Sequence, residues 1–249
     1  MTDFKIFVGT MRSGEEEFEE SRKLILQQQN VDIFHFIVDS LPEYEAHNAL
    51  WETWNDCKRN FDAFIKVDAD TLIDDSKKFS QIAKEFNSNS RLTGMQIPLH
   101  DYFTDGPILG LNCFTPAVVF TPAKSRLHAD HADSNHDIVY RDDDVAHLAP
   151  AGRHCAYPND RQAFHYGLHR MKKNQRDTIV KVYRAWKKYG GNGRLLALHG
   201  ARTAAISSSV GHDYNSTSFD GAFAQLVSDG IFEASKLSDL EAFMKSLGV

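Results

Sequence analysis

Two aspartates separated by a single residue, Asp68 and Asp70, directly follow an apolar segment at residues 64–67. The segment carries the aromatic and β-branched side chains typical of buried strands. Because side chains alternate along a strand, Lys66, Asp68 and Asp70 would share one face. Ligands of open α/β sheets bind beyond the carboxyl ends of the strands, and paired carboxylates suit a hard divalent cation. The motif therefore predicts a metal that bridges the protein and a diphosphate; the alternative is that the carboxylates cap a turn or the next helix.

The elements that would position this motif alternate between strand and helix. Strands are predicted at residues 4–10, 33–38, 64–67, 92–97 and 117–121. The Gly- and Pro-rich segment between the last two strands is expected to be a loop. Helices are predicted at residues 43–60, 76–86, 177–189 and 237–247. This alternation is typical of a parallel sheet with right-handed crossovers, so we expect an α/β fold with a helical C-terminal tail.

An acidic run follows the first predicted strand. Ser13 is placed to cap a helix, and Glu15, Glu16 and Glu17 would fall in its first turn, where the helix dipole favours negative charge. We therefore interpret the run as stabilising the helix rather than as a binding site.

The composition of the 249 residues, 42% hydrophobic and 25% charged, is that of a soluble globular protein. No apolar run approaches the roughly 18 residues of a transmembrane helix, and the N-terminus lacks a signal-peptide pattern. We therefore expect a cytoplasmic protein without a transmembrane segment, with the inner face of the membrane as the alternative location. The net charge of −6 argues against a nucleic-acid partner, because such binding rests on neutralising many phosphates.

Three groups of residues have less specific patterns. The cysteines lack a paired spacing and are interpreted as reduced and structural; they are Cys57, Cys113 and Cys155. Basic runs at residues 170–176 and 184–188 are typical of a solvated helix face, with peripheral contact to a membrane or an anionic acceptor as the alternative. The His- and Asp-rich segment at residues 128–137 fits no usual zinc spacing, and we expect a flexible loop that closes over an acceptor.

Taken in order, these segments resemble the GT-A glycosyltransferases, and they are similar to glycosyltransferase family 2. The resemblance rests on residues 8–12, on the second strand ending at Asp39, on Asp68-Ala69-Asp70, and on residues 141–144 followed by His154. It covers residues 4–170. It implies a GT-A, Rossmann-like, mainly parallel sheet flanked by helices, with a nucleotide-sugar-binding and catalytic domain at residues 1–160 and a helical extension at residues 161–249.

The resemblance also implies a donor, a metal and their contacts. A nucleoside diphosphate sugar of the UDP, GDP or dTDP type would lie over the strand ends, with base and ribose held by Thr10, Arg12 and Asp39. Asp70 would ligate Mn²⁺ or Mg²⁺ directly, and Asp68 would contact the ribose or a water on the metal. Lys66 is in phase to orient Asp68 or to approach a phosphate; the alternative is a lysine that extends from the strand to solvent.

The resemblance further implies a late histidine as a metal ligand, and His154 lies at a suitable distance after the acidic triplet. His165 and His169 compete for this role, because their spacing would place both imidazoles on one helix face. The residues between them lack the glutamate of a zinc protease motif, so that chemistry is not indicated.

Inverting transfer needs a carboxylate that takes the proton of the acceptor hydroxyl. The resemblance places this base in the stretch of Asp142, Asp143 and Asp144, where neighbouring like charges would raise a pKa. We nominate Asp143 as the base, with the register among the three aspartates open and a solvated acidic turn as the alternative.

These residues together predict a metal-dependent glycosyltransferase that moves a sugar to a hydroxyl of a glycan or a lipid-linked acceptor, with inversion. Two other functions stay open. A nucleotidyltransferase that makes a sugar nucleotide should carry a glycine-rich loop ending in basic residues after the first strand, and residues 9–14 match this poorly. A noncatalytic module that binds sugar nucleotides or glycans would keep the site without turnover.

Overall fold

The computed structural model of the protein describes residues 4–130 and 134–249. The chain forms two compact units: one comprises Met1–Tyr102 and Gly106–Tyr157, and the other comprises Phe103–Asp105 and Pro158–Val249. The described strands lie in the first unit, and the second unit is helical.

The first unit alternates strands and helices along the chain. Its described strands are β1 (Phe4–Arg12), β2 (Val31–Asp39), β3 (Ala63–Lys66), β4 (Thr71–Leu72), β5 (Leu92–Asp101), β6 (Gly106–Phe114), β7 (Ile138–Tyr140) and β8 (Arg153–His154). Its described α-helices are α1 (Phe18–Leu26), α2 (Glu43–Cys57) and α3 (Lys78–Ser88), with 3-10 helices at Lys58–Asn60 and Asp142–Leu148.

These strands form one sheet in the order β2-β1-β3-β6-β5-β8-β4, with β7 also paired to β5. Among the described strands, β6 and β4 are antiparallel to their neighbours and the other six run in one direction. The predicted α/β class is confirmed: a mainly parallel sheet is flanked by helices and followed by a helical C-terminal region.

The core lies on both faces of this sheet. Ile6, Val8 and Ile65 point to one face, where they pack with residues of α1 and α3. Phe7 and Phe64 point to the opposite face, where they pack on α2. Because β3 is buried on both faces, its sequence is continuously apolar up to Lys66, as is typical of a central strand covered on both faces.

The prediction for residues 106–121 was wrong. The Gly- and Pro-rich segment forms β6, and residues 117–121 form no strand apart from an isolated bridge between Phe120 and Ser134. A β-carbon at Gly110 would lie 2.4 Å from Leu99 Cδ1, so the glycine permits close pairing of β6 with β5. Val118 and Phe120 are apolar because they pack on the α2 face of the sheet, not because they belong to it.

The first helix also begins later than predicted. It starts at Phe18, and Ser13 does not cap it; the backbone N–H of Ser13 instead donates to Glu15 Oε2 over 2.7 Å. The predicted placement of the three glutamates in the first turn is therefore wrong, because Glu15 and Glu16 precede the helix and Glu17 is its N-cap residue.

The helices of the second unit are α4 (Asp160–Lys172), α5 (Arg176–Tyr189), α6 (Asn192–Ile206), α7 (Thr217–Asp229) and α8 (Ala234–Ser246). The helices predicted at residues 177–189 and 237–247 are present as α5 and α8. In α5, Arg184, Lys187 and Lys188 are exposed. Within residues 4–130 and 134–249, no helix has both the length and the apolar character needed to cross a bilayer.

The His- and Asp-rich segment is described in part, since His131, Ala132 and Asp133 lie outside the described residues. Ser134 Oγ lies 2.6 Å from His136 Nε2, and the His136 ring packs against Phe114. Its role as a flexible loop over an acceptor stays a prediction.

Candidate active site at the carboxyl edge of the sheet

Three neighbouring parallel strands end at the same edge of the sheet. β2 ends at Asp39, β1 at Arg12 and β3 at Lys66. Arg12 and Asp39 are paired in register, and Arg12 Nη1 lies 3.8 Å from Asp39 Oδ2. The guanidinium carbon of Arg12 also lies 4.6 Å from the ring centroid of Phe18, a cation–π distance. The structure thus brings Arg12 and Asp39 together at the predicted edge, with both side chains accessible.

Thr10 lies just below this edge and is almost fully buried. Its hydroxyl lies 2.9 Å from His35 Nε2. Burial, together with the nearby positive charge of Arg22, lowers the pKa of His35 to about 4, so the imidazole is neutral at physiological pH. Thr10 therefore packs beneath this edge of the sheet, with its hydroxyl on His35 rather than in solvent.

Lys66 and Asp68 form an ion pair between the Lys66 ammonium and Asp68 Oδ1. Burial alone would lower the pKa of Lys66, but the carboxylates of Asp68, Asp130 and Asp70 reverse this and hold the pKa above its usual value. The ammonium in turn holds the pKa of Asp68 below its usual value, although burial opposes this. The Lys66 side chain is 7% exposed and that of Asp68 is 39% exposed, so a buried cation orients a carboxylate that solvent can still reach.

The Asp68–Asp70 segment is a turn that links β3 to β4. The N–H of Thr71 donates to the Asp68 carbonyl over 2.9 Å. β4 then pairs with β8, and β8 pairs on its other side with the end of β5. A β-carbon at Gly152 would lie 2.2 Å from the Leu72 carbonyl oxygen, so glycine is required for β8 to approach β4 this closely. This arrangement places His154 beside the turn, although Asp70 and His154 are far apart in sequence.

Asp70, His154 and Cys155 form a compact group of donor atoms. His154 Nε2 lies 3.7 Å from Asp70 Oδ2, and Cys155 Sγ lies 3.6 Å from the same nitrogen. The thiol donates to Asp70 Oδ2 over 2.9 Å. The other ring nitrogen, His154 Nδ1, lies 2.8 Å from Oδ1 of the fully buried Asp101. Since a carboxylate at one ring nitrogen orients the other toward a metal, Nε2 is the expected donor of His154.

Two glutamates of the acidic run also belong to this region. Glu17 is fully buried, and its Oε1 accepts a hydrogen bond of 3.1 Å from the N–H of Tyr157. Burial, aided by the negative charges of Asp70 and Asp68, raises the pKa of Glu15 to about 7. The run therefore places carboxyl groups beside the Asp68–Asp70 turn.

The chemistry of these donors fits a divalent cation. Oxygen, nitrogen and sulfur atoms from Asp70, His154 and Cys155 face one another, and a cation would compensate carboxylates that otherwise repel. Asp68 stands at the same turn with its carboxylate accessible. The predicted residues Asp68, Asp70 and His154 are thus brought together with Lys66.

The structure places the acidic triplet elsewhere in the first unit. Asp142, Asp143 and Asp144 are exposed in the first turn of the 3-10 helix Asp142–Leu148, which packs on β5 and α3. Asp144 Oδ2 contacts the N–H of Arg141 at 3.5 Å. Asp143 is not part of the group of potential metal ligands that Asp70, His154 and Cys155 form among the described residues.

His165 and His169 lie in α4 of the second unit and, as predicted, share a helix face, with ring centroids 5.3 Å apart. His165 Nε2 lies 2.6 Å from the backbone carbonyl of His212, and its ring stacks on Tyr214. Burial lowers the pKa of both imidazoles. Neither residue belongs to a group of three potential metal ligands within residues 4–130 and 134–249.

Sequence reasoning missed four residues of this region: Glu15, Glu17, Asp101 and Cys155. Asp101 ends a strand, which is a weak signal, and Cys155 adjoins His154. All three cysteines are free, as predicted, and Cys155 is buried beside Asp70. The glutamates could not be found by pattern, because Glu17 meets Tyr157 across 140 residues of chain.

No family model and no curated protein matches the chain. Among solved structures, the chain is similar to the mannosyltransferase PcManGT from Pyrobaculum calidifontis in complex with GDP-Man and Mn²⁺. The TM-score is 0.39 and the sequence identity 13%, over 95% of this chain and 85% of that chain. A likeness at this level does not bear on what this chain binds or catalyses.

Proposed function

We propose that the chain is a metal-dependent glycosyltransferase that moves a sugar from a nucleoside diphosphate sugar to a hydroxyl of a glycan or lipid-linked acceptor, with inversion. The observation that carries this proposal is the placement of His154, oriented by Asp101, beside Asp70 at the carboxyl edge of a mainly parallel sheet. This edge is where α/β sheets bind nucleotides. The first unit would be the nucleotide-sugar-binding and catalytic domain, and the second unit its helical extension.

Each strand end has a role in holding the donor. Arg12 and Asp39 are accessible at the ends of β1 and β2, where they would contact base and ribose. Thr10 is buried against His35, so its role would be to support the strand ends from beneath. Asp68, held by Lys66, would accept a hydrogen bond from the ribose or from a water on the metal.

Asp70 and His154 would hold a divalent cation, with Mn²⁺ the first ion to test. Bound there, such an ion offsets the charge that builds on the departing diphosphate. The protein's own contribution is to orient the ligands: Asp101 holds the His154 ring, and backbone pairing of β4 with β8 fixes the Asp70 turn.

Asp143 is the residue that we propose as the general base. Its exposure leaves it accessible to an acceptor hydroxyl, whose proton it would take as the sugar carbon is attacked.

A thermal-shift screen of nucleoside diphosphate sugars with and without Mn²⁺ tests this function. A ligand that binds only the folded state raises the unfolding temperature. At 100 times its Kd it adds about 2.7 kcal/mol to the free energy of unfolding. We expect at least one donor to stabilise the wild type only when Mn²⁺ is present, and to lose this effect in Asp70→Asn. Glu52→Gln, which alters an exposed carboxylate on α2, is the matched control and should behave as wild type. Stabilisation that is equal in Asp70→Asn would place the metal elsewhere and contradict the proposed site.

A further inference from the structure

We propose that Cys155 is a third protein ligand of the metal, beside Asp70 and His154, and that the site therefore prefers a transition ion such as Zn²⁺ or Co²⁺ to Mg²⁺. This inference rests on the metal site of the proposed function, but it does not depend on glycosyl transfer.

The distances among the three donor atoms support a shared ion. A tetrahedral ion with bonds of about 2.1 Å to N or O and about 2.3 Å to S holds neighbouring donor atoms about 3.4–3.6 Å apart. The separation is 3.7 Å between His154 Nε2 and Asp70 Oδ2, and 3.6 Å between Cys155 Sγ and His154 Nε2. The third separation, 2.9 Å between Cys155 Sγ and Asp70 Oδ2, is that of an S–H hydrogen bond and must open by about 0.7 Å to reach the tetrahedral value.

The backbone fixes the position of the thiol. Cys155 has a φ of +49°, in the left-handed region that side-chain-bearing residues rarely adopt. The N–H of Cys155 also donates to the Asp70 carbonyl over 2.9 Å. Because the chain holds this conformation directly after His154, two adjacent side chains converge on Asp70 instead of pointing to opposite sides as in a strand.

The chemistry of the donors selects the ion. Thiolate and imidazole favour borderline or soft transition ions, whereas Mg²⁺ favours octahedral oxygen ligands and retains several waters. Three protein ligands also leave a fourth position open, as in catalytic rather than structural zinc sites. A phosphate oxygen or a water could take that position.

Binding must release a proton. The Cys155 Sγ–H bond breaks as the Sγ–metal bond forms, and the proton leaves to the buffer. The Asp70 oxygen that accepted the thiol hydrogen would then bind the ion.

The test uses Co²⁺, whose absorption reports its ligands. The full metal-free chain is titrated with Co²⁺, and the wild type should show a near-ultraviolet sulfur-to-cobalt charge-transfer band together with visible bands. Cys155→Ser and Cys155→Ala should lose the charge-transfer band and bind Co²⁺ at least about tenfold more weakly, in the range seen when a ligand shell is disturbed. Cys57→Ser, which alters a cysteine of α2, controls for adventitious thiol binding and should match the wild type.

The outcomes separate this inference from the proposed function. A charge-transfer band that persists in both Cys155 variants, or Co²⁺ binding that needs Asp70 but gives no sulfur band, overturns the role of Cys155 and leaves the Asp70 site standing. Co²⁺ binding of unchanged affinity in Asp70→Asn overturns both the role of Cys155 and the proposed Asp70 site. In competition, equimolar Zn²⁺ should displace Co²⁺ and a 100-fold excess of Mg²⁺ should not; the reverse order would overturn the selectivity.

Discussion

His154 Nδ1 lies 2.8 Å from Asp101 Oδ1, and the Asp101 side chain is fully buried. A buried carboxylate fixes both the tautomer and the orientation of the ring, so that Nε2 faces Asp70. The end of β5 thus orients His154 on β8, and the two residues are paired in register.

Asp101→Asn should weaken metal binding, because the amide has no charge to hold the imidazole N–H. Loss of such a carboxylate partner typically reduces metal affinity 10–100-fold. Titration of Mn²⁺ or Co²⁺ into the folded variant measures this. Asp74→Asn is the matched control, since Asp74 pairs with Arg153, the residue before His154, on an exposed surface. Equal affinity in Asp101→Asn and wild type would show that the Asp101 contact does not orient the ligand.

Lys66→Met should destabilise the fold at neutral pH by about 1–2 kcal/mol, less than the 3–5 kcal/mol of a fully buried broken pair, because solvent reaches Asp68. The pKa of Asp68 is lowered in the folded state, so its contribution to stability is present above the unfolded pKa and is lost as the pH falls through the folded pKa. The variant should therefore lose less stability on acidification than the wild type. Urea unfolding at several pH values from 7 downward measures both effects, and identical acid dependence in the two proteins would contradict the pairing.

The contribution of Glu15 to stability changes with pH in the opposite direction to that of Asp68. Burial and the neighbouring aspartates raise its pKa from 4.5 to about 7 in the folded state. Between pH 4.5 and about pH 7, the folded state therefore holds a proton that the unfolded state has lost. Its contribution to stability is present below about pH 4.5 and is lost as the pH rises through about 7. In the metal-free protein, Glu15→Gln should therefore gain about 1–3 kcal/mol of unfolding free energy relative to wild type between pH 5 and pH 8. A difference that does not change with pH would mean that Glu15 ionises normally.

Asp143→Asn should leave donor binding unchanged and reduce transfer by about 10²–10⁴-fold, the usual contribution of a general base. Transfer to acceptor and thermal shift by donor are measured on the same preparation. Asp142→Asn and Asp144→Asn serve as controls for the register of the triplet. Full activity in Asp143→Asn, with loss in one of its neighbours, would move the role along the 3-10 helix; full activity in all three would remove the base from this segment.

The parts that sequence predicted are those fixed by local pattern. The apolar run before Asp68 is a central strand, and the ends of β1, β2 and β3 meet because β1 pairs in parallel with both β2 and β3. β6 was missed because Gly106, Pro107 and Gly110 carry the signals of a loop. In the folded chain the last of these glycines is required by the approach of Leu99.

The rest of the site depends on contacts between distant parts of the chain. Asp101 meets His154 across 53 residues, and Cys155 meets Asp70 across 85. No periodicity encodes such contacts, because they arise from the insertion of β8 between β4 and β5. The raised pKa of Glu15 has the same origin, since burial by distant segments is its main cause.

The most direct test of the central claim is release of nucleoside diphosphate from a panel of activated sugars. We predict that the wild type with Mn²⁺, or with another ion that the site binds, slowly hydrolyses at least one donor, that a chelator stops this release, and that Asp70→Asn lowers its rate by about 100-fold, while Glu52→Gln does not. Intact donor binding without release from any donor would identify a noncatalytic binding module, and release at the wild-type rate in Asp70→Asn would contradict catalysis at this site.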